Sequence, residues 1–157
     1  MSEPTFVRPE LGEMSSIVCF KALVIGTEKA LGEKAAAIAL ISAGRDRGKQ
    51  LANQLDLKNL SIAESAARMQ AALGAQGTRL CAIDKIEEAE NVIKVYCRET
   101  ICSSGEVQGS PRQLTYTLGA IQGALETMTG KRLRGKQTES VLRGGTHDVI
   151  EFEFLTA

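Results

Sequence analysis

Hydrophobic and polar residues follow no regular pattern at the start of the chain and become periodic from about residue 14. The first stretch carries Pro4 and Pro9 and is predicted to be an extended N-terminal arm over residues 1–13. Residues 14–157 are predicted to form one domain, which is within the usual size of a single hydrophobic core.

The first periodic segment is helical, and Gly32 interrupts it. Its apolar residues lie on several sides, whereas a surface helix carries a single apolar stripe. This helix is therefore expected either to lie deep in the fold or to meet a second copy of the chain. Ile17, Phe20 and Val24 are the predicted dimer-interface residues.

An alanine-rich helix is predicted over Glu33–Leu55, with Gly44 and Gly48 one turn apart inside it. Each interior glycine costs about 1 kcal/mol relative to alanine. Close approach of another backbone or of a ligand would explain both glycines, and we favour close packing.

A third helix is predicted from Ser61, which forms a capping box with Glu64. Two strands follow, Thr78–Ile86 and Val92–Glu99, and a short polar turn makes them a hairpin.

The most informative part of the chain begins with Ser110 and Pro111, which are typical of a helix start. They predict a helix over Pro111–Thr129, followed by a second hairpin with strands in Lys131–Arg143 and Val149–Leu155. The element order αααββαββ predicts an α+β fold, in which helices pack on a four-stranded antiparallel sheet.

The Pro111–Thr129 helix has one large apolar face and one face of small residues. The small residues either let the backbone pack tightly on the sheet, which we favour, or leave room for a ligand. The candidate pocket residues are Tyr116, Gly119, Ala120, Gly123, Leu133, Gln137 and Phe152.

The second hairpin is expected to carry a surface ladder of opposite charges. Arg132, Arg134 and Lys136 share one side of their strand and can pair with Glu151 and Glu153. Such pairing accounts for the basic residues of Lys131–Lys136 without requiring a nucleic-acid partner.

The same alternation turns Gln137 and Glu139 inward. A buried Glu139 would need a protein or ligand partner, unless a bulge returns it to solvent. The alternation does not choose among these outcomes.

The composition and charge of the chain argue against nucleic-acid-binding, membrane-spanning and secreted proteins. Nineteen basic residues balance nineteen acidic ones, so no net field favours nucleic acid or an anionic membrane. No apolar run approaches the roughly 20 residues of a transmembrane helix, and the N-terminus lacks the pattern of a signal peptide. We therefore expect a cytoplasmic protein whose four cysteines are free thiols, mostly buried, since no second pair or nearby histidine completes a zinc site.

The glycine-and-apolar pattern of Tyr116–Glu139, together with Ala43–Gly48, resembles the 4-vinyl reductase domain family, also called hydrocarbon-binding proteins. The resemblance extends from about Met14 and includes the small TRAPP subunits and the haem nitric oxide sensors. It implies the ligand-binding fold of NO signalling and Golgi transport type. It also implies a helix-lined pocket for an apolar ligand, often in a homodimer.

The chain departs from that family at its metal site. Many members bind zinc through a glutamate and two cysteines in the last hairpin, where this chain has Gln137, Ser140 and Asp148. A closed zinc site cannot be built from these three residues, so no metal or other cofactor is expected. His147 lies at a hairpin tip and is expected to be a solvated turn residue, not a haem ligand.

The resulting hypothesis is a non-catalytic, zinc-free protein that binds a hydrocarbon, lipid or pigment precursor, with Tyr116 and Gln137 as polar contacts. A scaffold or assembly factor with a filled core is the alternative. An accessory subunit in tetrapyrrole vinyl reduction is the third hypothesis, which the family name alone supports. No catalytic triad or nicotinamide-binding motif is recognisable in the sequence.

Overall fold

The computed structural model describes residues 7–156, so residues 1–6 of the expected arm and Ala157 lie outside it. The described chain forms four α-helices and four strands in the predicted order αααββαββ. The helices are α1 (Ile17–Leu31), α2 (Glu33–Gln54), α3 (Ile62–Leu73) and α4 (Tyr116–Thr129). The strands are β1 (Ala82–Ala89), β2 (Val92–Arg98), β3 (Leu133–Glu139) and β4 (Asp148–Phe154).

The four strands form one antiparallel sheet in the order β1-β2-β4-β3. The predicted α+β fold class is confirmed. Ile93 of β2 pairs with Phe152 of β4, and both side chains are fully buried beneath the helices. Arg134 and Lys136 of β3 lie opposite Glu153 and Glu151, in the register that the predicted charge ladder requires. In the described chain neither cation forms an ion pair with them, and Glu151 lies 4.0 Å from Lys94 of β2 instead.

Helix α4 is the centre of the fold because it lies between the sheet and α2. Ile121 and Leu125 are completely buried. On the α2 side the backbones approach so closely that a Cβ on Gly119 would overlap the carbonyl oxygen of Ile41. A Cβ on Gly44 would likewise overlap the carbonyl oxygen of Tyr116. The glycines therefore allow two helices to pack backbone against backbone.

The predicted start of the last helix is wrong. Helix α4 begins at Tyr116, and the preceding residues 110–115 are non-helical. Their backbone groups bond to distant side chains instead: Leu114 donates its N–H to the Gln137 Oε1 at 2.8 Å, and Arg143 donates to the Ser110 carbonyl oxygen at 2.6 Å. The local helix-start signal is outweighed by these tertiary bonds.

Two strand boundaries also differ from the prediction. Strand β1 starts four residues after Thr78, because residues 74–81 form a compact turn in which Arg79 donates its N–H to the Gly74 carbonyl oxygen. Strand β3 ends at Glu139, and a 3-10 turn over Val141–Arg143 follows. The β3–β4 register shifts between Gln137 and Glu139, which leaves Glu139 exposed, as expected for a bulge.

The cysteines are free in the described residues. Cys81, Cys97 and Cys102 are buried, and Cys19 on α1 is exposed. The expectation of free, mostly buried thiols is confirmed for the three buried residues, while Cys19 faces solvent.

Candidate ligand-binding cavity

A cavity of about 990 Å³ lies where α1, α2, α4 and the α3–β1 turn meet. Its walls are mainly apolar and come from elements far apart in sequence. The apolar side chains include Ile17, Phe20, Leu51, Leu80, Ile101 and Ala120. Ligand pockets typically have roughly 300–1,000 Å³, so this volume is at the upper end of that range.

An aromatic contact between α1 and α4 forms part of the cavity wall. The rings of Phe20 and Tyr116 meet edge to face, with centroids 5.0 Å apart. Tyr116 is half-buried, and its hydroxyl makes no hydrogen bond with residues 7–156. Burial raises the pKa of Tyr116, while the charge of Arg47 acts in the opposite direction.

Three charged side chains line the cavity: Glu13, Arg47 and Arg79. Glu13 and Arg79 are exposed at its mouth, whereas Arg47 on α2 is partly buried. Among the described residues no ion pair joins any of the three to another group. Arg79 also has a φ of 58°, a left-handed backbone conformation that few non-glycine residues adopt.

Two of the predicted pocket residues line this cavity, Tyr116 and Ala120. Gly119 and Gly123 do not, because their open sides are filled by the α2 backbone at Ile41 and Arg45. The prediction of a ligand space beside these two glycines is therefore wrong. The close packing that we favoured is present, but against α2 instead of the sheet.

The other predicted pocket residues lie elsewhere. Leu133 and Phe152 are buried in the main core at 3% and 0% exposure. Gln137 lines a separate polar groove of about 350 Å³ beside Ser140 and Arg143. Its side chain is occupied by protein partners, since it accepts from the Leu114 N–H and donates to the Glu139 carbonyl oxygen.

The structure places the predicted dimer-interface residues in two different environments. Ile17 and Phe20 line the cavity, and Val24 is 1% exposed within its own protomer. Val24 cannot contact a partner without rearrangement, so its assignment to an interface is wrong. The most exposed apolar residues of α1 are instead Val18 and Leu23, at 73% and 71%.

Several cavity residues were not singled out from the sequence, notably Leu51, Leu80, Ile101 and the two arginines. They come from three separate segments, so no spacing along the chain identifies them. Arg79, whose backbone is left-handed, falls within the strand that was predicted over Thr78–Ile86. The turn that contains Arg79 was therefore not predicted.

The positions aligned with the zinc ligands form a hydrogen-bonded cluster. The fully buried Asp148 carboxylate accepts from the hydroxyls of Thr100 at 2.7 Å and Ser103 at 2.8 Å, and from the Val141 N–H at 3.0 Å. Ser140 caps the following turn by accepting from the Leu142 N–H. In residues 7–156, no group of three or more His, Cys, Asp or Glu side chains could hold a metal ion.

His147 lies in the turn before β4, but it is not simply solvated. Its Nε2 is 2.9 Å from the Asp84 Oδ2, and its ring meets Tyr96 edge to face. Hydrogen bonds from Arg98 and then His147 lower the pKa of Asp84 to about 2. The expectation of a free turn residue is wrong, because His147 links the last hairpin to β1.

Over the described residues, none of the helices combines the length and the apolar character that a bilayer crossing requires.

Comparison with known proteins finds structural but not sequence similarity. No family model matches the chain, and no curated protein matches its sequence. The fold is similar to the crystal structure of the phenol-responsive sensory domain of the transcription activator PoxR with phenol. That match has a TM-score of 0.74 and 13% identity, and it covers 90% of this chain and 76% of that chain.

A second solved structure shares the fold. Trafficking protein particle complex subunit 3 from Naegleria fowleri, covalently bound to palmitic acid, matches with a TM-score of 0.50 and 15% identity, over 90% of this chain and 98% of that chain. At such low identities the likeness establishes the fold alone. The chain therefore has the fold shared by a small-molecule sensory domain and a trafficking-complex subunit.

Proposed function

We propose that this protein is a non-catalytic module that binds an apolar small molecule in the cavity between α1, α2, α4 and the α3–β1 turn. The observation that carries the proposal is the cavity of about 990 Å³ with mainly apolar walls. The phenol and the palmitic acid named for the two structural neighbours support a binding role. The domain from residue 14 onward is the binding unit, and hydrocarbons, lipids and pigment precursors are its candidate ligands.

Burial of apolar ligand surface supplies the driving force. Removal of apolar surface from water contributes roughly 25 cal/mol per Å². The wall residues Leu51 and Ile101 are 6% exposed and fixed by packing in the hydrophobic core, so they need not be ordered on binding. A preformed pocket lowers the entropic cost of association.

The test uses Nile red, a neutral apolar fluorophore. We expect saturable binding to the full chain, detected by the increase in fluorescence. Ala75→Trp places a bulky ring at the cavity mouth, because Ala75 lines the cavity and is exposed. We expect it to weaken Nile red binding at least tenfold.

Ala71→Trp is the matched control, since Ala71 is exposed on α3 and does not line the cavity. It should bind Nile red as the wild type does. Equal binding by both tryptophan variants would contradict the proposal, as would no saturable binding by the wild type.

A second copy of the chain is the proposed partner, and the outer face of α1 is the proposed contact. Val18 and Leu23 are more than 70% exposed on this helix, and contact with a second copy would remove these large apolar side chains from water. The homodimers implied by the family resemblance support this assignment.

Light scattering after size-exclusion chromatography tests the dimer. Val18→Glu should convert the wild-type dimer to a monomer. Ala71→Glu is the control, because Ala71 is exposed on α3. A monomeric wild type would contradict a homodimer, and a scaffold role would then need a different partner.

We also propose that the protein is cytoplasmic. Buried free thiols such as Cys81 and Cys97 are typical of a reducing compartment.

A further inference from the structure

Two arginines of the cavity, the partly buried Arg47 and the exposed Arg79, have no acidic partner, whereas the two other partly buried arginines of the described chain are paired. Arg45 pairs with Glu126, and Arg112 pairs with Glu28 and Glu106. Within residues 7–156, the side chains of Arg47 and Arg79 form neither an ion pair nor a hydrogen bond, although both line the same cavity. The cavity lining thus includes two arginines without an ionic partner.

Positive charge in an apolar cleft favours an anionic ligand. Charges beside low-dielectric walls act more strongly than charges in open water, and they attract ions of the opposite sign. Glu13 is the one carboxylate that lines the cavity in the described chain, and it is exposed and unpaired. The cavity lining therefore has a net charge of +1, from two arginines and one glutamate.

The compact turn after α3 holds the backbone of Arg79 beside the cavity. Its φ of 58° is strained for a residue with a Cβ, and such strain persists at sites where the surroundings impose it. The compact turn imposes it here, because Thr78 donates its N–H to the Ala72 carbonyl oxygen and Arg79 donates to that of Gly74. Asparagine or glycine would suit this conformation better than arginine.

We infer that the ligand is an apolar chain or ring system with a carboxylate headgroup, which binds to Arg47 and Arg79 on the cavity wall. This inference rests on the proposed function and adds the chemical class of the ligand. Arginine is suited to the role because its guanidinium can bind a carboxylate through two parallel hydrogen bonds. The Tyr116 hydroxyl, which has no partner in the described chain, is a further donor.

The test compares dodecanoate with 1-dodecanol, which has the same chain length but no charge. Each competes with Nile red for the full-length protein. We expect dodecanoate to compete at least tenfold better than 1-dodecanol with the wild type. The ratio of the two competitors' inhibition constants, each corrected for the variant's own Nile red affinity, should fall at least tenfold in Arg47→Gln and in Arg79→Asn.

Three controls keep the result interpretable. Arg134→Gln removes an exposed arginine of β3 that does not line the cavity, and it should retain the full preference for dodecanoate. Arg79→Asn suits the left-handed backbone, so its Tm should not fall. Arg47→Lys keeps the charge and should retain part of the preference if Arg47→Gln proves unstable.

The outcomes separate the two proposals. If Nile red does not bind the wild type, the proposed function fails. If Nile red binds but dodecanoate and 1-dodecanol compete equally well, the cavity stands and the carboxylate inference is overturned. The same conclusion follows if both arginine variants keep the wild-type preference.

Discussion

The carbonyl oxygen of Arg45 on α2 occupies the space in which a side chain on Gly123 of α4 would begin. Gly48 has the reverse relationship with the carbonyl oxygen of Ala120, so each helix needs glycines where the other presents its backbone. We therefore expect Gly123→Ala to destabilise the protein by roughly 1–3 kcal/mol or more, the usual cost of overpacking. Urea denaturation measures this free energy of unfolding.

Gly26→Ala is the matched control for this prediction. Gly26 lies inside α1, and a Cβ there would meet no atom within 4 Å. We expect it to stabilise the protein by roughly 0.4–1 kcal/mol. Destabilisation of the same size by both substitutions would show that helix contact is not the reason for the glycines in α2 and α4.

The glycine pattern also shows what the sequence can and cannot predict. The capping box at Ser61 and Glu64 is local, and the structure contains it as predicted. The close packing of Gly44 and Gly48 was also predictable, but their partners were not, since Tyr116 and Ala120 lie some 70 residues further along the chain. The spacing of the glycines predicts a close backbone contact, but it does not identify the segment that makes the contact.

The cavity was the least predictable feature. Tyr116 and Ala120 were identified because they share a helix, whereas Ile101 and Arg79 come from a loop and a turn that have no periodicity. The helix start at Ser110 was wrong for a related reason, since bonds from Gln137 and Arg143 hold that segment in another conformation.

The buried Asp148 carboxylate predicts a large effect of substitution. Asp148→Ala leaves the hydroxyls of Thr100 and Ser103 and the N–H of Val141 without their acceptor. Thr100 is fully buried, and an unsatisfied buried group costs about 1–3 kcal/mol, whereas Ser103 and Val141 are partly exposed to water and lose less. We therefore expect a loss of roughly 2–3 kcal/mol in urea denaturation. Ser103→Ala removes one donor and keeps the acceptor, so it should cost about 1 kcal/mol; an equally mild Asp148→Ala would contradict this role.

Glu106 predicts a loss of stability in acid. Burial raises its pKa, but hydrogen bonds from Lys21 and Ser110 and the charges of Arg112 and Lys21 outweigh this effect and lower the pKa to about 2. A depressed pKa in the folded state stabilises the protein above the pKa of the unfolded state, 4.5, and this stability is lost as the pH falls towards 2. The loss is on the order of 3 kcal/mol.

Denaturation of wild type and Glu106→Gln between pH 6 and about 2 checks this prediction. The variant should be less stable than the wild type at pH 6, and the two should converge as the pH falls. Asp84 also has a pKa of about 2 and contributes to both proteins, so the difference between them isolates Glu106. Parallel curves would show that Glu106 is not responsible.

Glu126 joins three elements, and this predicts a further effect on stability. One carboxylate oxygen accepts from the Arg45 Nε at 2.5 Å, and the other accepts from the Leu133 N–H at 2.8 Å. Glu126→Ala leaves the buried Leu133 N–H unsatisfied, so we expect a loss of roughly 2–4 kcal/mol in thermal or urea denaturation. Glu126→Gln keeps an acceptor and should lose less; the reverse order would contradict the bond to Leu133.

The central claim is that an apolar molecule occupies the cavity beside Tyr116, and a crystal structure with a terminally brominated dodecanol tests it most directly. The account predicts an anomalous bromine peak between α1, α2 and α4, near Leu51, Ile101 and Ala120. Bromine peaks confined to the exposed face of α1 at Val18 and Leu23, with none in the cavity, would contradict it.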